Sequence, residues 1–316
     1  MVSRHVPILT VTPNPALDVS TSTGIVEPEH KLRCGATRLD PGGGGVNVSR
    51  VVRNLGGRSL AVYAIGGPTG DAYRNLLEQE GVAGLAVRIA ESTRESFTVD
   101  ETSTGRQFRF VLQGPTLTEA EWHSLFYAVR GELPGPGLVV ASGSLPPGVP
   151  DDFYARLARL ARDNGARCVI DTSGDALRAA LDEGVYLIKP SKRELGELVG
   201  DPIDDDAELI EAARELVGAG TCEVVALSLG GDGAIVVSAD QALRLPTPKV
   251  DVQSTVGAGD SFLAAFLLRI AQGYDLGEAL RAGVAAGSAT AALPATALVG
   301  ADDLVRLAEG LVPEAI

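Results

Sequence analysis

Short apolar runs, each stopped by a polar or glycine-rich segment, take turns with helical stretches along much of this chain. Residues 6–12 read as a buried strand ended by Pro13 and Pro15, and residues 59–65 as a second. Residues 138–141 run into Ser142-Gly143-Ser144, 168–170 into Asp171, 185–188 into Lys189 and 224–227 into Ser228. Helical patterns lie between them, as at 151–164 and 207–217. Such alternation predicts an α/β fold, a mostly parallel sheet flanked by helices on both faces. Ligands bind such sheets beyond the carboxyl ends of the strands. Asp18, Ser142, Ser144, Lys189 and Ser228 all fall at those ends.

Two segments break the pattern. Phe97 and Val99, then Phe108, Phe110 and Leu112, alternate with polar residues on either side of a turn at 101–105. That is a hairpin with one apolar face. With the polar, β-branched stretch 18–39 it predicts a small antiparallel β lid, formed by segments of about 18–39 and 92–112. Lys31 and Arg33 would share one face of a lid strand, and Arg94 stands at the start of the second segment. No linker or internal repeat divides the chain, so residues 1–316 are expected to form a single domain.

Chemistry concentrates in Ser254-Thr255-Val256-Gly257-Ala258-Gly259-Asp260, which opens an apolar helical run. The glycines permit a tight turn. The backbone N–H groups of Gly257, Ala258 and Gly259 would then sit at a helix N-terminus, which favours anions and above all phosphate. A carboxylate beside that anion hole, Asp260, can take a proton from an attacking hydroxyl. Standing alone, Gly-x-Gly-Asp would serve equally as a turn and a helix cap. A second glycine run, residues 42–45, leads directly into another amphipathic helix through Asn47, Val48, Val51 and Val52. This placement suits close approach of a ligand to the backbone better than a flexible linker does.

Composition narrows the function. With 27 Lys+Arg against 41 Asp+Glu, the net charge is −14. A general basic surface for nucleic acid is excluded, and an anionic substrate must meet a local cluster of cations. Cys34, Cys168 and Cys222, like His5, His30 and His123, lack the spacing of a disulfide framework or a metal site. Residues 1–5 lead straight into the first strand without a long apolar signal core, and no apolar run is long enough to span a bilayer. A reduced, cytoplasmic protein is expected, with no membrane partner. The P-loop pattern and the protein-kinase motifs are both absent.

Four motifs in order then carry a resemblance over essentially the whole chain: Gly42-Gly43-Gly44-Gly45-Val46-Asn47, Ser142-Gly143-Ser144-Leu145-Pro146-Pro147, Lys189-Pro190-Ser191-x-x-Glu194 and Ser254–Asp260. The sequence resembles the ribokinase-like sugar kinases of the phosphofructokinase-B family. Lys31-Leu32-Arg33-Cys34 and the lysine-free glycine run look like the branch of ATP-dependent 6-phosphofructokinases known as the minor isozyme. Thr12-Pro13-Asn14-Pro15-Ala16-Leu17-Asp18 also resembles the 1-phosphofructokinases and tagatose-6-phosphate kinases.

The resemblance implies phosphorylation of fructose 6-phosphate to fructose 1,6-bisphosphate, with Asp260 as base and Gly257, Ala258 and Gly259 as anion hole. It implies that Asp18, Gly43, Gly44, Asn47 and Ser144 contact the sugar, and that Lys31, Arg33 and Arg94 bind its phosphate. Lys189, Ser191, Ser228, Gly230 and Gly233 would line the ATP site. Glu194 would organise Mg²⁺ through water, and Ser254 and Val256 match positions that hold K⁺. A homodimer through the β lid is implied as well. Three departures stand out. Ser191 replaces a usual asparagine, the tail Leu293-Pro294-Ala295-Thr296-Ala297 lacks the asparagine and glycine common beside a K⁺ site, and Asn14 has no evident role. A non-catalytic sugar-phosphate sensor on the same fold is the alternative from another class; ATP turnover with and without the sugar phosphate separates the two.

Overall fold

The computed structural model describes residues 6–203 and 205–316; the expectation drawn from residues 1–5 lies outside them. The strands are β1 (Ile8–Thr12), β2 (Ala16–Thr23), β3 (Arg38–Gly42), β4 (Ser59–Ile65), β5 (Gly84–Arg88), β6 (Arg94–Glu101), β7 (Arg106–Val111), β8 (Leu138–Ser142), β9 (Arg167–Asp171), β10 (Val185–Ile188), β11 (Cys222–Ser228), β12 (Ala234–Ser238), β13 (Ala242–Leu245) and β14 (Glu314–Ala315). The helices are α1 (Gly44–Asn54), α2 (Gly67–Glu80), α3 (Glu119–Gly131), α4 (Phe153–Asp163), α5 (Gly174–Glu183), α6 (Lys192–Val199), α7 (Asp206–Gly218), α8 (Ala258–Ala271), α9 (Leu276–Ala291) and α10 (Ala301–Ala308).

Ten strands make one sheet in the order β14-β13-β12-β11-β10-β9-β8-β1-β4-β5. From β5 to β11 every neighbour is parallel, and the three strands beyond β11 are antiparallel. Side chains of a strand alternate between faces, and here both faces are covered. Leu9, Val11, Val139 and Ala141 pack with Trp122, Phe153 and Leu157 of α3 and α4. Ile8, Leu138 and Val140 face the other way, onto α1, α8 and α9. Helix α8 is buried on nearly every side, as expected of a helix apolar all round. Its neighbour α9 comes close because Gly283 leaves room: a Cβ there would lie 2.9 Å from the Phe262 ring.

The small sheet has the order β3-β2-β6-β7. Pairs β2–β3 and β6–β7 are antiparallel, but the central pair β2–β6 is parallel. The lid is therefore mixed rather than purely antiparallel. The reason is topological. Strands β2 and β6 follow β1 and β5, which run in the same direction in the main sheet, so the chain enters the lid twice with the same heading.

The expected strand around Lys31 and Arg33 does not form. Residues 24–37 are an exposed loop tied back by Val26 N–H to Glu101 Oε1 at 2.8 Å and Gly35 N–H to the Ser22 carbonyl at 2.8 Å. Gly24 and Pro28 interrupt the pattern there.

The glycine run is ordered. Helix α1 starts inside it at Gly44, with Gly43 at φ 121° as cap, a conformation open to glycine. A Cβ on Gly42 would fall 2.0 Å from Asp18 Oδ2, and one on Gly44 2.1 Å from Ser142 Oγ. Bare backbone here is what lets the Asp18 and Ser142 side chains sit against the main chain.

Candidate active site

Two cavities meet at the N-terminus of α8. The first, about 410 Å³, lies between lid and main sheet and is lined by Asp18, Asn47, Arg94, Ser144, Gly257 and Asp260 among others. The second, about 460 Å³, is lined by Ser228, Gly230, Gly233, Ala258, Gly259 and Phe262. Gly257 and Asp260 face one side and Ala258 and Gly259 the other, so the first turn of α8 is the wall between them. Gly257 caps the helix at φ 74°.

Asp260 is oriented by a chain of side chains. Arg50, 5% exposed, grips Glu80 through Nε at 2.7 Å and Nη2 at 2.6 Å, and its Nη1 donates to Asn47 Oδ1 at 3.2 Å. An arginine only donates, so the oxygen of the Asn47 amide must face it. The amide nitrogen is thereby turned to Asp260 Oδ2, 2.8 Å away. Burial first, then the nearby Asp171 carboxylate, push Asp260 up to about 6, while the Asn47 bond, Lys189 and Arg109 pull the other way. Asp18 is pushed up to about 7 by burial; Arg50 opposes this and Asp40 adds to it. Both carboxylates are thus poised to exchange protons near neutral pH.

Lys189 is buried, and its Nζ pairs with Asp171 Oδ1 at 3.1 Å. Burial works against its charge, but Asp171, Asp260 and Glu194 outweigh that and hold its pKa above the usual lysine value. A Cβ on Gly259 would lie 3.4 Å from this ammonium. Lys189 therefore stands at the wall between the cavities and lines the first, not the second.

Of the expected nucleotide residues, Ser228, Gly230 and Gly233 line the second cavity. Ser191 lines neither; it caps α6 in a reciprocal box with Glu194, whose carboxylate accepts from Ser191 N and Oγ at 2.8 Å each. Glu194 nevertheless borders the first cavity. Gly43, Gly44 and Val256 line it too, whereas Ser254 is buried behind the α8 turn, with Val256 N–H donating to its Oγ at 3.3 Å. Of the expected anion-hole donors, the Ala258 N–H turns back to the Thr255 carbonyl at a long 3.4 Å.

Lys31 and Arg33 do not join the cavity; both are exposed on the 24–37 loop. Another cation does. Arg109 lines the first cavity and influences both Asp18 and Asp260. The alternation Phe108-Arg109-Phe110 carries the signal: in a strand Arg109 must oppose the apolar face. Asp171 and Thr296 also line the cavity. Asp171 closes a predicted strand, where ligands gather. Thr296, which donates to Asp40 Oδ2 at 2.6 Å, has no such signal, because its partner lies 256 residues away.

A half-buried helix N-terminus between two clefts, with the Asp260 carboxylate on it, is the layout of a phosphoryl-transfer enzyme of the α/β class. The profile of the pfkB family carbohydrate kinases matches residues 16–299, and the chain belongs to that family; it is a sugar kinase with the ribokinase-like fold. Mycobacterium tuberculosis ATP-dependent 6-phosphofructokinase isozyme 2 is 45% identical over 96% of this chain and 89% of its own. Bacillus subtilis 1-phosphofructokinase is 34% identical over 90% and 92%. A crystal structure of Escherichia coli phosphofructokinase-2 with substrates and products superposes with a TM-score of 0.93 at 40% identity, covering 96% of this chain and 98% of that one. Two further structures of that protein, with the same identity and coverage, have TM-scores of 0.92 and 0.90; one is in complex with potassium and the other is a tetrameric inhibited form.

Proposed function

We propose that the protein transfers the γ-phosphoryl group of ATP to the free hydroxymethyl oxygen of fructose 6-phosphate, giving fructose 1,6-bisphosphate in the cytoplasm. The observation that carries this reading is Asp260 on the wall between a cleft lined by Arg94 and Arg109 and a second cleft lined by Phe262 and the backbone of Gly230, Gly231 and Gly233. Arg94 and Arg109 suit the phosphate already on the sugar, since charge-assisted bonds to phosphate are short and strong. Asp18, Asn47 and the bare backbone at Gly43 and Gly44 suit its hydroxyls. The second cleft, with Phe262 and glycines in its lining, suits a nucleotide, its base on the apolar side and its phosphates toward Lys189.

Asn47 occupies Oδ2 of Asp260, leaving Oδ1 to take the hydroxyl proton as the oxygen attacks. The N-terminal turn of α8 and the Lys189 ammonium oppose the charge on the transferring group. The lid roofs the cleft and keeps water from the phosphoryl group. Among the described residues no cluster of three or more His, Cys, Asp or Glu could hold a metal ion, but the hard oxygens of Glu194 and Asp171 fit Mg²⁺ kept mainly by phosphates and water. When bound, Mg²⁺ neutralises phosphate charge. A K⁺ ion beside Ser254 and Val256 is the further expectation, tested by the potassium dependence of turnover.

The outer face of the lid supports a homodimer. Leu39, Val19, Phe97 and Phe110 form one row across its four strands. Leu39 and Phe110 remain 44% and 51% exposed, and such a row calls for a partner. Any contact of Lys31 and Arg33 with substrate would have to be made across that pairing. No helix among the described residues is long and apolar enough to cross a membrane.

ATP turnover against fructose 6-phosphate, fructose 1-phosphate, tagatose 6-phosphate and ribose tests the assignment. Highest kcat/KM with fructose 6-phosphate is expected. Preference for fructose 1-phosphate would make it a 1-phosphofructokinase, and no turnover with any of the four would favour the sensor.

A further inference from the structure

The turn between β1 and β2 carries Asn14, which is 7% exposed and does not line the first cavity. Its two halves reach in different directions. The carboxamide Nδ2 donates to Ser144 Oγ at 3.1 Å. The main-chain carbonyl accepts from Arg94 Nη2, also at 3.1 Å. A second main-chain carbonyl, that of Leu112, takes Arg94 Nη1 at 3.2 Å. Ser144 and Arg94 belong to segments far apart in sequence, the loop after β8 and the first residue of β6, and both line the cavity.

A serine hydroxyl has one proton and two lone pairs. By donating into Oγ, Asn14 occupies a lone pair and leaves the Ser144 proton for another acceptor. Arg94 is in a similar state: main-chain carbonyls fix its guanidinium, yet its buried Nε has no partner. The carboxamide is also confined by shape. Its Oδ1 is buried without a partner and lies against Gly114, where a Cβ would come within 2.2 Å.

We infer that Asn14 is a positioning residue for the phosphate end of the sugar site: its side chain holds Ser144 as a donor and its main chain holds the Arg94 guanidinium, so that both meet one dianionic phosphate. This rests on the reading that Arg94 holds the phosphate of the substrate, and it adds Ser144, expected above to contact the sugar, as a second donor to that phosphate. Asn14 acts through those two residues and touches no reacting atom.

Steady-state kinetics of Asn14→Ala and Asn14→Asp, each also in a Ser144→Ala background, test it. Asn14→Ala removes the side-chain bond and keeps the main-chain one. Asn14→Asp keeps the shape but cannot donate when ionised, and draws the Ser144 proton toward itself. KM for fructose 6-phosphate is expected to rise about three- to tenfold in Asn14→Ala, the range of one neutral hydrogen bond, and further in Asn14→Asp. KM for ATP should change by less than about twofold, and kcat far less than KM for the sugar phosphate. In the Ser144→Ala background Asn14→Ala should add nothing. A residue that only fills space gives the reverse order, because aspartate fills the slot and alanine empties it. That reverse order, an unchanged KM in Asn14→Ala, or full additivity with Ser144→Ala would overturn the inference. If Ser144→Ala alone leaves KM unchanged, the phosphate reading of Ser144 falls and takes this one with it. If Ser144→Ala raises KM and Asn14→Ala does not, only this one falls. Melting temperatures are read in parallel, and Asn14→Asp with its double variant carries the test should Asn14→Ala not fold.

Discussion

The ten-stranded sheet and the four-stranded lid treat their two faces differently. Strands β1 and β8 are buried on both sides under helices, and every residue of each is inaccessible. In the lid one face is polar and roofs the cleft with Asp18, Ser96, Thr98 and Arg109, while the other is apolar and largely uncovered within the chain. The division extends to the site. Asp260 and Asn47 ride on helices of the main body and Lys189 directly follows its strand β10, where close packing holds an orientation to a fraction of an ångström. Arg94, Arg109 and Asp18 come from the lid. On the proposed function the main body would set how phosphate moves and the lid which sugar receives it. Substitutions in the main body should then act on kcat, and those in the lid on KM for the sugar.

The strongest challenge to that division is Asp260→Asn. Loss of general-base assistance should lower kcat roughly 10²–10⁴-fold, with KM for both substrates and the melting temperature nearly unchanged. Wild-type kcat in this variant would remove the base from the main body and end the comparison. Gly257→Val acts on the same wall. It puts a branched side chain at φ 74° with its Cβ 2.7 Å from Leu298 Cδ2, and turnover should suffer more than sugar binding. A raised sugar KM with kcat intact would show that this turn serves recognition instead.

On the lid side, Arg94→Ala and Arg109→Ala should each raise KM for fructose 6-phosphate about 10- to 100-fold, the worth of a bond to a charged group. KM for ATP should move far less. Wild-type KM in Arg109→Ala would return Arg109 to the surface cations and leave the lid with a weaker claim on substrate choice.

The pH profile sharpens the same contrast. A base must be deprotonated to act, so kcat/KM should fall as pH drops through the folded-state values of about 6 for Asp260 and about 7 for Asp18. In Asp18→Asn only the limb near 6 should remain, on a lower plateau. An unshifted limb would mean that Asp18 ionisation does not matter to substrate capture. The smallest effect on the folded chain should come from Phe110→Glu on the outer lid face. Its stability should change by no more than about 0.5 kcal/mol, as for other surface positions, while sedimentation should show a dimer giving way to monomer. An unchanged oligomeric state would move the interface elsewhere.

Much of this was legible in the residues. Strand boundaries at 185–188 and 59–65 coincide with β10 and β4, because apolar runs between glycine and proline leave few choices. The glycine run at 42–45 predicts close approach of a ligand to the backbone; what the fold itself shows there is room for side chains, Asp18 at Gly42 and Ser142 at Gly44. The strand expected around Lys31 and Arg33 does not form because the β-branched pattern of residues 18–23 ends at Gly24 and Pro28, and among the described residues no strand pairs with 24–37. Arg109 was legible in its alternation with Phe108 and Phe110, but a lone arginine in a strand does not say what the other side of the sheet covers.

The sequence by itself determined the class of fold, the helix that carries Asp260 and the family, since these depend on local periodicity and on motifs a few residues long. Only the tertiary structure decided that Arg50 turns the Asn47 amide toward Asp260, that Asn14 holds Ser144, and that Thr296 reaches Asp40. Each of those contacts joins segments through a particular side-chain rotamer or crosses from one sheet to the other. Hydrogen bonds reach only about 3 Å, so whether they form is settled by how the layers pack, and no one-dimensional pattern records that distance.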